Sequence, residues 1–464
     1  MKKNLINVYL LMLSTTLVLT SQTNAVFGQE KSNPIPLQNL NAFNDPGKSW
    51  TIVGDVNGYI NVANTLSAVN GEGVLLNLPT KKVKGTDLYT LLEYGDVDVE
   101  MKFLMSKNGN SGIYLQGRYE VQLEDSWNLS NSTSASNGGI YNLKAPRINA
   151  SKAPGLWQDL KISFQAPRFN SSGEKIQNAR ILKVLLNGVL VQENVELFNP
   201  TPGAISNQEV AKAALRIQGD HGAIAFKDLV ISEVEDKDVK ENVGGYAADP
   251  ILVEANENTI LRSFMDVDKD VRVVHAVSVG SANNVHYTYD MDHGMLVQAW
   301  RGQFLDATPM WDGRGNGTSI PMGAVQYFGH PAFTLAKLSN QQEAWPIDTL
   351  NSHYKPDGYT VDSVGIPTFV YRIFDSEIKD KLSVLNDGSG ISREITVENG
   401  NDMYVRLAKS SQILEIKNGY YLIGDKEYYL QLQDPKSQVV LRDVNGEKEL
   451  IAPIKDHLNY SILF

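Results

Sequence analysis

The chain has 464 residues, a formal net charge of −11, 20 Tyr, 6 Trp and no Cys. The lack of Cys excludes disulfides, thiolate nucleophiles, Cys-ligated zinc and covalent haem attachment. The acidic balance disfavours nucleic acid and anionic membranes as partners, and the length sets an expectation of two or three domains stabilised by their cores alone.

Lys2 and Lys3 precede an apolar run over residues 8–19, followed by small and polar residues up to Ala25. This pattern predicts an export signal over residues 1–25, removed on secretion. No later stretch is apolar enough for a membrane span, so the expected location is periplasmic or extracellular, in a bacterium. Residues 26–45, with Pro34 and Pro36, predict an irregular lead-in. Short strands are expected at 50–53, 74–78 and 97–105, with Gly109 and Asn110 turning into the next.

Residues 110–125 carry the strongest alternation. Ile113, Leu115, Tyr119, Val121 and Leu123 share one parity, with Gly117 as the only gap. Tyr114, Gln116, Arg118, Glu120, Gln122 and Glu124 share the other. Read as one strand, the first set faces a core, and the second is either a solvated face or the lining of a sugar cleft. Residues two apart on a strand lie roughly 7 Å apart, so Arg118, Glu120 and Gln122 form a patch that one pyranose ring could cover. Glu120 and Glu124 would stand about 13 Å apart. Glycosidase carboxyl pairs sit about 5–9.5 Å apart, so these two make a poor conventional pair. One strand carboxylate with a partner from elsewhere fits better, and Asp125 and His221 are the candidates.

Downstream, 128–139 predicts a loop, and strands are expected at 160–165, 182–186, 189–191, 215–218 and 223–231. Asn187-Gly188 between two apolar runs is a type I′ hairpin signal. In the run Leu215–Gln218, Arg216 and Gln218 share a parity and lead to a turn bearing His221, whose imidazole is suited to proton transfer near neutral pH. A short helical turn is expected at 208–214. Many short strands with Gly/Asn turns predict an antiparallel β-sandwich or jelly roll over 46–232. The charged run 233–249 reads as a linker. Strands resume over 250–464 and predict a second β-sandwich, with 302–323 as a large Gly-rich loop. There, Arg301, Asp306, Asp312 and Arg314 could bind an ion or a sugar, and a salt-bridged loop explains them equally well. His275, His286 and His293 match no compact metal motif.

Several pieces in order give a resemblance: Glu93-Tyr94-Gly95-Asp96-Val97, Asn110-Ser111-Gly112-Ile113-Tyr114, Arg118-Tyr119-Glu120-Val121-Gln122, Asp125-Ser126 and Gly139-Ile140-Tyr141. Ala145-Pro146, Leu186-Asn187-Gly188-Val189 and Leu215-Arg216-Ile217-Gln218 with His221-Gly222 complete it. Residues 46–232 thereby resemble the 3-keto-disaccharide hydrolase family, departing from it at Gln116, where Arg is more usual. The resemblance implies a concanavalin-like jelly roll that cleaves glycosides already oxidised at C3, by C2 proton abstraction and β-elimination with net hydrolysis. It implies Glu120, His221 and Asp125 as catalytic candidates and Tyr114, Gln116, Arg118, Gln122, Arg216 and Gln218 as substrate-binding ones. In that chemistry Glu120 or His221 would act as base or acid and Arg118 or Arg216 would stabilise the enolate; a divalent cation could replace the arginine, the sequence leaves metal ligands unassigned, and no haem is expected. Residues 251–464 resemble a β-sandwich module appended to exported sugar-oxidising and cytochrome-bearing proteins, through His275-Ala276-Val277-Ser278-Val279-Gly280, Trp300-Arg301-Gly302 and Gly313-Arg314-Gly315. Three readings follow: an enzyme on 3-keto-glycosides, a carbohydrate-binding protein without turnover, and a scaffold for a periplasmic oxidoreductase partner.

Overall fold

The computed structural model describes residues 33–234, 249–311, 313–346, 351–398, 400–417, 419–434 and 437–464. The expected export signal, most of the expected linker and Asp312 lie outside the described residues. The described chain is essentially all-β.

In the N-terminal part the strands are β1 (Asn33–Pro34), β2 (Phe43–Asn44), β3 (Trp50–Asn57), β4 (Ser67–Asn77), β5 (Leu88–Tyr94), β6 (Val97–Met105), β7 (Asn110–Leu115) and β8 (Tyr119–Glu124). They continue with β9 (Gln158–Gln165), β10 (Arg168–Phe169), β11 (Lys175–Gln177), β12 (Ala179–Leu186), β13 (Val189–Leu197), β14 (Ala213–Ile217) and β15 (Ile224–Glu233). The larger sheet runs β13-β12-β9-β6-β15-β4-β3, with β1 on β15, and the smaller runs β2-β5-β14-β7-β8. Alternate residues of both bury into one core: Val97, Val99, Met101 and Phe103 from β6 meet Ile113, Leu115, Val121 and Leu123 from β7 and β8. Tyr119 of the smaller sheet and Phe164 of the larger sheet touch across it, ring centroids 5.5 Å apart. The expected hairpin at Asn187-Gly188 is present, with φ of 50° and 81° between paired Leu186 and Val189.

The stretch 110–125 differs from the single strand expected. It is a hairpin, β7 and β8 joined by residues 116–118, with Gln116 at φ 53° and Gly117 at φ 65°. The facing nevertheless holds. Leu115 pairs with Tyr119, Tyr114 with Glu120 and Ile113 with Val121, so directly opposed residues share parity. A turn of three residues preserves the odd-in, even-out alternation; a turn of two would have inverted it. The expected helical turn at 208–214 is also absent: irregular chain there runs into β14.

In the C-terminal part, β16 (Leu252–Val253), β17 (Thr259–Asp268), β18 (Val271–Gly280), β19 (Val285–Asp290), β20 (Met295–Asp306) and β21 (Thr318–Tyr327) form one sheet. β21 pairs antiparallel with β20 and parallel with β17, so five strands close on themselves around Met265, Val273, Val297, Trp300 and Phe304. A four-stranded and an eight-stranded sheet follow. Three sheets therefore stand where one sandwich was expected. Of the segment 302–323, the two ends belong to β20 and β21, and the expected loop is confined to the connection between Asp306 and Thr318; Gly302 and Gly323 oppose each other, and their lack of side chains lets the two backbones close up.

The two parts are in contact. Ile60, Ala153 and Leu156 pack with Leu422, Tyr429 and Leu463. Tyr429 donates its hydroxyl to Pro154 O at 2.9 Å, and Lys426 Nζ lies 2.8 and 2.9 Å from the Asp55 carboxylate oxygens.

Because Gly117 holds a left-handed conformation and a Cβ there would come within 3.1 Å of Ile205, Gly117→Ala is expected to destabilise the protein. The cost is roughly 1–2 kcal/mol, read by denaturant unfolding.

Candidate active site

The outward face of the smaller sheet is polar and is not solvated. Tyr114, Glu120 and Gln122 are each 2% exposed and Arg216 is 6%. Pairing across β8, β7, β14 and β5 sets Glu120 opposite Tyr114, Tyr114 opposite Arg216, and Arg216 opposite Tyr89. The row is thus built by register alone.

Within it the Arg216 guanidinium lies over the Tyr114 ring, 3.5 Å from the centroid, a contact that favours a cation on an aromatic face. Arg216 Nη2 donates to Gly203 O at 2.8 Å, and Nη1 lies 3.5 Å from Asp87 Oδ2. The Tyr114 hydroxyl faces the Glu120 carboxylate and lies 3.5 Å from Pro202 O, the outer limit of a hydrogen bond. Gly112 pairs with Gln122 beside this row and receives the Gln218 backbone N–H at 2.9 Å. A Cβ on Gly112 would sit 2.2 Å from Glu120 Oε1, so the carboxylate occupies the space that glycine leaves. Gln122 Oε1 and Gln218 Oε1 are buried without a partner among the described residues.

β8 is an edge strand, and its outer backbone is closed by neighbouring segments. Gly138 N donates to Gln122 O, Gln122 N to Gly139 O, and Tyr141 N to Glu120 O. Glu120 N donates to Thr201 Oγ1 at 3.0 Å. These segments exclude water from Glu120. Burial pushes its carboxyl up to about 7, although the Tyr114 hydroxyl, the Arg216 cation and the charge of His221 act in the opposite direction. Burial and Glu120 itself raise the Tyr114 phenol. His221 is exposed on the turn after β14, its Nδ1 bonded to Asp220 Oδ1.

The structure therefore brings together Glu120, Tyr114, Arg216, Gln122, Gln218 and His221. Three sequence candidates lie apart from this group. Gln116 donates its amide to Tyr94 O and Ala211 O. Arg118 donates to Gln208 O and Gln116 O, both at 2.7 Å, and pins the segment after β13. Asp125 lies beyond the far end of β8, accepting Asn108 N at 2.9 Å, with its carboxyl raised by burial. Asp87, Tyr89, Gly112 and Thr201 join the site without having been candidates for it. Only Gly112 carried a signal, a glycine inside an apolar strand, which marks close approach of another group. Among the described residues no three His, Asp or Glu side chains converge in a way that could hold a metal ion.

Residues 38–232 match the family model of the 3-keto-alpha-glucoside-1,2-lyase-like domain. The N-terminal region, less than half of the chain, matches this lyase-like domain. Solved structures from Parabacteroides distasonis ATCC 8503, provisionally described as glycosyl hydrolases, are similar to part of the chain. One is 23% identical, covers 48% of this chain and all of its own, and superposes with a TM-score of 0.32. A second is 19% identical, covers 44% of this chain and all of its own, at a TM-score of 0.30. No curated protein matches the chain. The lyase-like domain thus contains the whole Glu120 row, and residues 249–464 fall outside the family match.

The folded lyase-like domain keeps the Glu120 proton up to about 7, whereas an unburied carboxyl releases it near 4.5. Between those values the folded state binds more protons, so raising the pH favours unfolding by on the order of 3 kcal/mol. Glu120→Gln removes this component. Its melting temperature is expected to exceed that of the wild type above pH 7, with the advantage fading as pH falls to about 4.5, measured by thermal unfolding across pH.

Proposed function

We propose that the lyase-like domain cleaves glycosides whose sugar carries a ketone at C3, with Glu120 as the base that removes the C2 proton. The observation that carries this reading is a single buried carboxyl with its pKa near 7, set beside a tyrosine and a guanidinium and with no second carboxylate at glycosidase spacing on its strand. A carboxylate in that condition is poised for proton abstraction at neutral pH. The C3 ketone acidifies the C2–H bond, so one base suffices where ordinary glycoside hydrolysis needs two carboxyl groups.

Glu120 takes the C2 proton, and the C2–H pair forms an enolate on the C3 oxygen. Arg216 and the Tyr114 hydroxyl stabilise the negative charge that develops there. The enolate then collapses to the ketone, a C1=C2 double bond forms, and the C1–O bond breaks towards the leaving group. His221, at the exposed margin, protonates that oxygen. Water adding across C1=C2 completes net hydrolysis; release before addition makes the enzyme a lyase. Gln122 and Gln218 position the sugar in this reading. Asp125, Gln116 and Arg118 support the fold around the site in this reading. The substrate must be supplied by a reaction that oxidises C3, which gives the expected periplasmic oxidoreductase partner its place, with the protein itself exported.

The test is release of the aglycone from a 3-keto-glucoside. Glu120→Gln is expected to lower kcat by about 10²–10⁴-fold and His221→Ala by less. Wild-type-like turnover in both variants would sink the assignment. A saccharide that binds and is never cleaved would mean a binding protein instead. With the wild type, kcat/KM should fall tenfold per pH unit below about 7, as the base becomes protonated. The same assay with and without a chelator reports whether a divalent cation shares the role given to Arg216.

Gly112→Ala offers an independent check, because the added methyl takes the space of Glu120 Oε1, the movable end of a side chain, and so should displace the carboxylate without unfolding the sheet. About 10²-fold less turnover with a nearly unchanged melting temperature is expected.

A further inference from the structure

A polar cavity lies at the junction of the two parts, and no residue of the Glu120 row lines it. It has a volume of about 720 Å³, in the range of small-molecule sites. One wall comes from the segment that leaves β8, with Asn128 and Asn131; the other comes from the β18–β19 turn with Asn284, from Asn386 and from Arg301 on β20. Asn128, Asn131, Asn284 and Asn386 are all exposed, and each carboxamide offers both donors and an acceptor.

Arg301 is the unusual member. It is 4% exposed, and Nη2 donates to Gly388 O at 2.7 Å. Its Nε is buried without a partner among the described residues. Burial lowers its pKa only to about 10, so the group stays charged at neutral pH. The carboxylate that acts on it, Asp387, is itself exposed and accepts from Ser389 N. Arg147, also on the lining, is already paired with Glu193 at 2.7 Å. A buried guanidinium with an unmet N–H is costly unless an acceptor reaches it. The cavity is therefore lined by one guanidinium whose hydrogen bonding is incomplete, by several carboxamides and by few apolar side chains. That is the chemistry that meets a chain of hydroxyl groups.

We propose that this junction is a second saccharide-binding site, distinct from the Glu120 row, in which the Arg301 guanidinium donates to a ligand oxygen and the asparagines bracket the sugar hydroxyls. The acceptor is either a hydroxyl of a neutral oligosaccharide or a carboxylate of a uronate. The chemistry of the cavity carries this inference, and it stands whether or not Glu120 is a catalytic base.

The experiment titrates the full chain calorimetrically with maltotetraose, cellotetraose and tetragalacturonate in turn. Saturable binding of at least one is expected, and the tetragalacturonate arm separates a uronate from a neutral sugar. R301M should weaken it at least tenfold. The surface double variant N131A/N386A, which leaves the core intact, should do so as well. E120Q should bind unchanged, and N131A/N386A should release aglycone from a small 3-keto-glucoside at the wild-type rate. The proposal is overturned by no saturable binding of all three probes up to millimolar concentration, or by binding that N131A/N386A leaves intact. Binding that E120Q abolishes would place the sugar at the first site and equally overturn it.

Discussion

A carboxyl group removed from water must be paired, protonated or left close to its balance point, and Glu120 is held in the third condition. Its cationic neighbour Arg216 is already engaged with Gly203, Asp87 and the face of Tyr114. The guanidinium thus lowers the cost of ionising Glu120 without cancelling it, and burial wins by a moderate margin. Much of the local architecture serves that balance. Gly112 leaves room for the carboxylate, the segment 138–141 closes the edge of β8, and Thr201 caps the Glu120 backbone. Any one of these opened to water would return Glu120 towards an ordinary carboxylate.

The site was legible in the sequence to the extent that it depends on parity. Alternation put Tyr114, Glu120 and Gln122 on one face, and it survived an error about the chain path, because the turn at 116–118 contains an odd number of residues. Gln116 and Arg118 belonged to the same parity but sit in that turn, where local geometry sends them to backbone carbonyls. Gln-Gly is a weaker turn signal than Asn-Gly, which is why 187–188 could be read and 116–117 could not. Asp87 and Tyr89 reach the row only through pairing of β5 with β14, more than 120 residues later, and no local pattern encodes such a contact.

The C-terminal part shows the same division. Individual strands were readable, while the way they assemble was not. Closure of β17 to β21 depends on one parallel pairing between chain segments some fifty residues apart. Glycines at 302, 313, 315, 317 and 323 made the intervening region look like loop. Two of them instead let paired strands approach closely, Gly302 facing Gly323. Closing the ring removes exposed sheet edges, which limits unwanted pairing between molecules.

Tyr429 enters the lyase-like domain at a slot made of backbone. A Cβ on Gly155 would lie 2.3 Å from its hydroxyl and 2.5 Å from Gly58 O, so the tyrosine is accepted only because glycine is there. Around it Ile60, Ala153 and Leu156 depend on Leu422 and Leu463 for cover. The two parts are fitted to each other at the level of single atoms, which makes them poor units for gene shuffling. An unrelated partner fused after residue 234 would have to present a phenol to the same two carbonyls, or leave an apolar patch and two buried acceptors open to solvent.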